Sequence, residues 1–397
     1  MMTTANPLAY LSEQLDAWRK AGSYQRLRVL ESPCEPISRF DGHEVINLAS
    51  NNYLGLADHP KLIEAQVSAA KKFGAGSGAV RTISGTMSIH MQLEERIADF
   101  KRTEACVVFQ SGFAANAGTV SAILGPEDHI ISDALNHASI IDGCRLSKAK
   151  IHVFPHKDTA RAAGILQESE GASGRKLLIT DGVFSMDGDI GPLPALVELA
   201  ERHGAIMMID DAHSSGVLGR NGRGTVDHFG LHGRVDVQVG TLSKAIGVLG
   251  GYVCGSRDLI DFLYHRARPF LFSTSHPPAV AAACLAAFDI LENEPERIEK
   301  LWDNTRYFKS NLKSTGFDTG DSETPITPVI VGEAKAAHAF SAALFDNGLL
   351  ATGIGFPTVP EGKARIRTIV TATHTREMLD RALEILSRVA KKMSILK

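Results

Sequence analysis

From Ala105 to Leu242 the chain repeats one pattern, a short apolar run followed by a stretch with helical spacing. The runs are ACVVFQ, HIISD, KIHVFP, KLLITDGV, AIMMIDDA and VDVQVGTL. Between them lie segments such as Leu193, Leu196, Val197 and Ala200, spaced i, i+3, i+4, i+7. Strands apolar on both faces and separated by helices bury those faces best as a mostly parallel sheet covered on each side. An α/β fold is expected. A length of 397 residues leaves room for a second, smaller domain. After Pro277-Pro278 the pattern reads as helix to about Ser314, strand at Ile326–Val331, helix at Ala334–Asn347, strands at Leu349–Ile354 and Ala364–Val370, and helix at Thr375–Ser394. The expected division is an N-terminal arm with short strands over 1–48, a large domain over 49–290 and a small domain over 291–397. Within the arm, Asp41-Gly42 suits a turn between strands at Ile37–Phe40 and Glu44–Leu48.

In open parallel sheets ligands collect beyond the carboxyl ends of the strands. Polar clusters stand at those places: Ser111-Gly112-Phe113, Asn136-His137, Asp181 to Asp187, Asp210 to His213, and Thr241 to Lys244. Lys244 sits in GTLSKAIG, where small neighbours leave room for a carbonyl compound to reach its amine. A single lysine after a strand is ordinarily a solvated loop residue, so its meaning depends on its companions. Free amides at Ser111-Gly112-Phe113, ahead of a helix, suit an anion. Asp210 ends an apolar run and calls for a cationic partner, or else serves as a cap or structural ion pair. His213 can donate a hydrogen bond, and the flat ring of His137 can stack on a heteroaromatic ring. Asp210, Asp211 and His213 make a poor metal site, because successive strand residues face opposite ways.

Other classes are disfavoured. With Lys+Arg 42 against Asp+Glu 45, the net charge of -3 lacks the basic excess of a nucleic-acid binder. No leader-like or membrane-spanning stretch opens the chain, so a cytoplasmic protein without membrane contact is expected. The five cysteines are scattered, without a C-x-x-C pair, and read as reduced thiols.

Phosphate donors, an aspartate for a pyridinium and a lysine for an aldehyde together describe pyridoxal 5′-phosphate (PLP). The motifs ASNNYLGL, VRTISGT, DALNHASIIDGCRLS, TDGVFSMDGDIGPL, IDDAHSSGVLG, GTLSKA, RPFLFSTS and FPTVPEGKARIRT resemble the α-oxoamine synthase family of fold-type-I PLP enzymes. The resemblance runs from about residue 45 to the C-terminus. It implies that Lys244 carries the cofactor as a Schiff base, with Asp210 on the pyridinium, His137 stacked, and His213 and Ser185 near the phenolic oxygen. It further implies phosphate contacts from Ser111, Gly112, Phe113 and Thr241, with Ser273 and Thr274 supplied by a second subunit of a homodimer. Arg367 would clamp the amino-acid carboxylate, and Asn51 and Thr358 would touch substrate. The implied reaction joins glycine or alanine to an acyl-CoA. Within the family, ALNHASIIDG, RPFLFSTS and IGFPTVPEGKARIRT look most like glycine C-acetyltransferases, which favours glycine with acetyl-CoA. The 8-amino-7-oxononanoate synthases, which use alanine and pimeloyl-CoA, come next. They commonly read RPPTVP where this chain has Ile354 to Pro360. For a longer acyl chain, Arg26 or Arg28 offers a cation for the distal carboxylate, and Gly353 and Gly355 leave space for a channel.

Overall fold

The computed structural model describes residues 6–21, 24 and 26–396. Near the amino end, β1 (Ile37–Phe40) and β2 (His43–Asn47) form a hairpin. Its turn residues Asp41 and Gly42 have φ of 48° and 80°, the left-handed conformation that suits a two-residue hairpin loop. The main sheet then draws on β3 (Ala105–Phe109), β4 (His129–Asp133), β5 (Lys150–Phe154), β6 (Lys176–Asp181), β7 (Ile206–Asp210), β8 (Val237–Thr241) and β9 (Gly251–Gly255). Their order is β3-β9-β8-β7-β6-β4-β5, and every pairing is parallel except those of β9. The mostly parallel sheet matches the α/β expectation; β9 is an addition to it. GYVCG has glycine at both ends, and only glycine fits at Gly251, where a Cβ would lie 2.4 Å from the Ser111 carbonyl carbon.

Alternation along the strands divides the interior into two layers. Val107, Phe109, Val237, Val239 and Val253 face a core with Val120, Ile123, Ile260 and Leu263, from helices Gly112–Ile123 and Arg257–Arg266. The intervening Cys106, Val108, Tyr252 and Cys254 face the other side, against Leu93, Ile97, Ala283 and Ala287 of helices Ser88–Lys101 and Pro278–Asn293. The helical stretch expected after Pro278 is broken. It ends at Asn293 and resumes at Glu296, because Pro295 has no N–H to continue the ladder.

A second sheet has the order β10-β13-β12, formed by β10 (Ile326–Gly332), β12 (Thr352–Ile354) and β13 (Ala364–Ile369). The single strand expected at 349–354 is split: β11 (Leu349–Leu350) leaves that sheet and pairs in parallel with β2. Ile46 and Leu48 consequently share a core with Phe308, Phe340, Leu349, Ile366 and Leu386. Among the described residues, no helix is long and apolar enough to cross a membrane.

Candidate active site

The carboxyl ends of β3, β4, β6, β7 and β8 open on one cleft, and Asp210 and Lys244 lie deep in it. Asp210 is 3 % exposed; it accepts from the Asn116 side-chain amide at 2.6 Å and from the Ala212 N–H at 2.8 Å. No lysine or arginine makes a salt bridge to it among the described residues. Asp211, the next residue, faces the opposite way and pairs with Lys101 at 2.8 Å. Lys244 Nζ has neither a hydrogen bond nor a salt bridge among the described residues. Burial pulls its pKa from 10.5 down to about 8; Asp210 and Asp181 oppose the fall and Arg367 adds to it.

Around this centre the chain forms a cup. Ser111 caps the helix Gly112–Ile123, its hydroxyl accepting from the Ala114 N–H at 3.1 Å. Gly112 lies against Thr241, whose Cβ would be 3.4 Å from a Cβ placed on the glycine. Helix N-terminus, serine and threonine thus converge, although Phe113 presents its ring outward, 48 % exposed. Thr274 bridges Val80, and its carbonyl accepts from Gln110, the residue before Ser111, at 2.7 Å. The Ser273-Thr274 loop therefore stands beside the cup of its own chain, with Thr274 exposed.

His137 caps the helix Ala138–Ser147, and its backbone N–H donates to Asp181 at 2.8 Å. The Ser139 N–H donates to His137 Nδ1 at 3.2 Å, which leaves the proton of a neutral ring on Nε2. Burial lowers the pKa of His137, with Lys244 adding to the fall. His213 is held well below the ordinary histidine value, by burial first and then by Lys244 and Arg367. Its Nδ1 is 2.8 Å from the Tyr53 hydroxyl. Burial, followed by the charge of Asp210, raises the pKa of Asp181 well above the carboxylate range.

Arg367 on β13 reaches the cleft from the second sheet. Its Nη2 donates to Asn51 at 3.1 Å, and its Nε is buried without a partner among the described residues. Arg365, on the same strand, is committed elsewhere: Nη1 donates to Asp187 at 2.5 Å and to the Met186 carbonyl at 3.0 Å. A cavity of about 470 Å³ adjoins the cleft, with His137, Ser185 and Thr358 in its walls beside Phe184, Met186 and Phe356. Gly353 and Gly355 do not open a channel. A Cβ on either would strike the helix Ala334–Asp346, at 2.8 Å from the Ala337 oxygen and 2.7 Å from the Ala334 Cβ. Arg28 makes a salt bridge to Asp41 at 3.4 Å and stacks on the Phe345 ring.

Residues 43–386 match the family model described as aminotransferase class I and II. The chain belongs to the aminotransferase class I and II family. Within that family it is 62 % identical over 387 residues to the 8-amino-7-oxononanoate synthase of Symbiobacterium thermophilum, covering 98 % of this chain and 99 % of that one. A serine palmitoyltransferase from S. paucimobilis, solved with a PLP–myriocin aldimine bound, superposes with a TM-score of 0.93 at 32 % identity, covering 98 % of each chain. The 8-amino-7-oxononanoate synthase of Francisella tularensis superposes with a TM-score of 0.75 at 29 % identity, covering 88 % of this chain and 98 % of that one. This member of the family is a fold-type-I, PLP-dependent enzyme of the α-oxoamine synthase kind. The order of the two activities expected from sequence is reversed: similarity along the whole chain favours 8-amino-7-oxononanoate synthase. The glycine C-acetyltransferase expectation rested on a few motifs, above all the loop from Ile354 to Pro360.

The residues of this family member fit PLP. The Ser111–Thr241 cup offers amides and hydroxyls to a phosphate. Asp210 is a buried carboxylate without a cationic partner among the described residues, suited to a protonated ring nitrogen, and Lys244 Nζ stands where it could meet an aldehyde. Asn116, Asp181 and Tyr53 complete the surroundings.

Proposed function

We propose that the chain is an 8-amino-7-oxononanoate synthase, joining L-alanine to the acyl group of pimeloyl-CoA with loss of carbon dioxide and CoA. The observation that carries this reading is the 62 % identity to the Symbiobacterium thermophilum synthase over nearly the full length of both chains. The site supports it. Arg367 has unused donors beside Asn51 for the alanine carboxylate, and a planar guanidinium fixes that group at two points. Bound PLP supplies an aldehyde for the amino group and a ring that takes up the electron pair released at Cα. Lys244 Nζ, its pKa already lowered, takes the Cα proton once the amine is free. Asp210 keeps the ring nitrogen protonated, and Asn116 holds that carboxylate in place. His137 would stack on the ring, while His213 and Ser185 would bear on the phenolic oxygen. Phosphate would be held at Ser111, Gly112, Phe113 and Thr241, and in a cytoplasmic homodimer Ser273 and Thr274, beside the cup of their own chain, would reach across the interface to the partner's site. The cleft would lie between a large domain over 49–290 and a small domain over 291–397, with residues 1–48 as the arm.

The test incubates purified holoenzyme with L-alanine or glycine and with pimeloyl-CoA or acetyl-CoA, following free thiol. Alanine with pimeloyl-CoA is expected to give the highest kcat/KM, since discrimination resides in that ratio. A tenfold preference for glycine with acetyl-CoA would restore the acetyltransferase reading and leave the family intact.

A further inference from the structure

His156 follows the edge strand β5 and was no part of the site expected from sequence. Its Nδ1 lies 3.1 Å from Asp133 and its Nε2 lies 2.9 Å from Asp189. An ionised carboxylate only accepts, so a ring placed between two of them donates from both nitrogens and is an imidazolium. Each of the two aspartates also organises a loop, Asp133 through its carboxylate and Asp189 through its backbone carbonyl. Asp133 ends β4 and accepts from the Leu135 N–H at 2.9 Å and the Lys157 N–H at 2.8 Å, shaping the turn that leads to His137. The Asp189 carbonyl accepts from the Phe184 N–H at 3.1 Å, closing the loop that carries Ser185. The Phe184 ring meets His156 edge-on, with centroids 4.3 Å apart. Residues 134–138 and 184–187 line the 470 Å³ cavity, and the imidazole contacts Asp133, just before the first stretch, and Phe184, at the start of the second.

We propose that His156 is a positioning residue, an imidazolium staple that ties the His137 loop to the Ser185 loop and sets the width of the cavity they enclose. Its role in catalysis rests on the reading of His137 and Ser185 as cofactor contacts; the staple itself does not. The surrounding charges leave a local excess of one negative charge, which favours the protonated ring. Lys157 Nζ is 3.1 Å from Asp189 and 3.6 Å from Glu323, so two cations face three carboxylates. Burial, the largest single influence, pulls the pKa of His156 down, but Asp133 and Asp189 together raise it from 6.5 to about 9. The folded value lies above the unfolded one. The stability this proton contributes is therefore complete below about pH 6.5 and is lost as the pH climbs through 9.

Ring-carbon NMR of the holoenzyme against pH provides the direct test, with a His156 midpoint near 9 expected. A midpoint at or below roughly 7, the ordinary histidine range, overturns the proposal. In Asp189→Asn the midpoint is expected to fall by at least one pH unit. In His156→Gln, amide exchange is expected to quicken at least tenfold in 133–137 and 184–190 while 237–241 stays unchanged. Equal acceleration in all three segments, or none, rejects the staple. If His156→Gln does not fold, the Asp189→Asn midpoint and its exchange pattern decide. None of these readouts uses turnover, so they stand apart from the alanine and pimeloyl-CoA assay.

Discussion

Asp210 and Asp211 are neighbours, yet the regions they face treat a desolvated lysine in opposite ways. Below the cleft, Lys101 and Asp211 have side chains only 1 % and 0 % exposed and are fully partnered. Lys101 donates to Asp211 at 2.8 Å and to the Arg223 carbonyl at 2.5 Å, and the Thr225 N–H also donates to Asp211, at 3.2 Å. Gly224, at φ 99°, makes the packing possible, because a Cβ there would lie 2.1 Å from the carboxylate. In the cleft, Lys244 has no such partner among the described residues, and its pKa falls to about 8. Burial with a matched charge makes a strut, while burial without one makes a reactive amine.

The contrast breaks most visibly if each lysine is removed in turn. Lys244→Ala is expected to lower kcat by roughly 10³- to 10⁴-fold, about 4–5.5 kcal/mol, with an unchanged melting temperature. A comparable loss of Tm would show that this amine is also structural. Lys101→Ala should act the other way, costing about 3–5 kcal/mol in urea unfolding because Asp211 stays buried without its cation; a loss under 1 kcal/mol would dissolve the distinction. The two arginines of β13 offer a second contrast. Arg367→Lys is expected to raise KM for the amino acid by about 10- to 100-fold, roughly 1.4–2.7 kcal/mol, with a smaller change in kcat. Arg365→Lys should leave that KM nearly unchanged, since its guanidinium is spent on Asp187 and Met186.

The smallest effect sharpens the electrostatic side. In PLP-free protein, amine acylation of Lys244 should follow a midpoint near pH 8. Asp210 favours the charged amine, so Asp210→Asn should move the midpoint lower. An unchanged midpoint, read by mass spectrometry of the labelled peptide, would mean that the Asp210 charge does not act on Lys244.

Much of this site is legible in sequence because chemically distinct side chains directly follow apolar runs, as at Asp210 and Lys244. Asn116 is less so. It lies in the apolar helix GFAANAGTVSAI, and its partner Asp210 is 94 positions away; the one available signal is a lone amide among small apolar residues. His156 follows its strand as His137 does, but its meaning comes from two loops that sequence spacing does not place together. Arg365 and Arg367 look alike in ARIRT and point the same way along the strand. Only Asp187, brought near by tertiary packing, separates the committed arginine from the one with unused donors. The split at Leu349–Ile354 was hidden for the same reason, because β11 finds its partner in β2, far upstream.

That last pairing bears on how the protein is made. Leu349 follows its partner Ile46 by 303 positions, so β2 leaves the ribosome long before the strand that completes it. At about 5–20 residues per second, the interval is roughly 15–60 s. Throughout it, Ile46 and Leu48 lack Leu349 and Ile366, the apolar neighbours that finally cover them. The nascent chain thus carries an uncovered apolar segment for most of its synthesis, which makes the hairpin at residues 37–47 a natural place for a ribosome-associated chaperone to act.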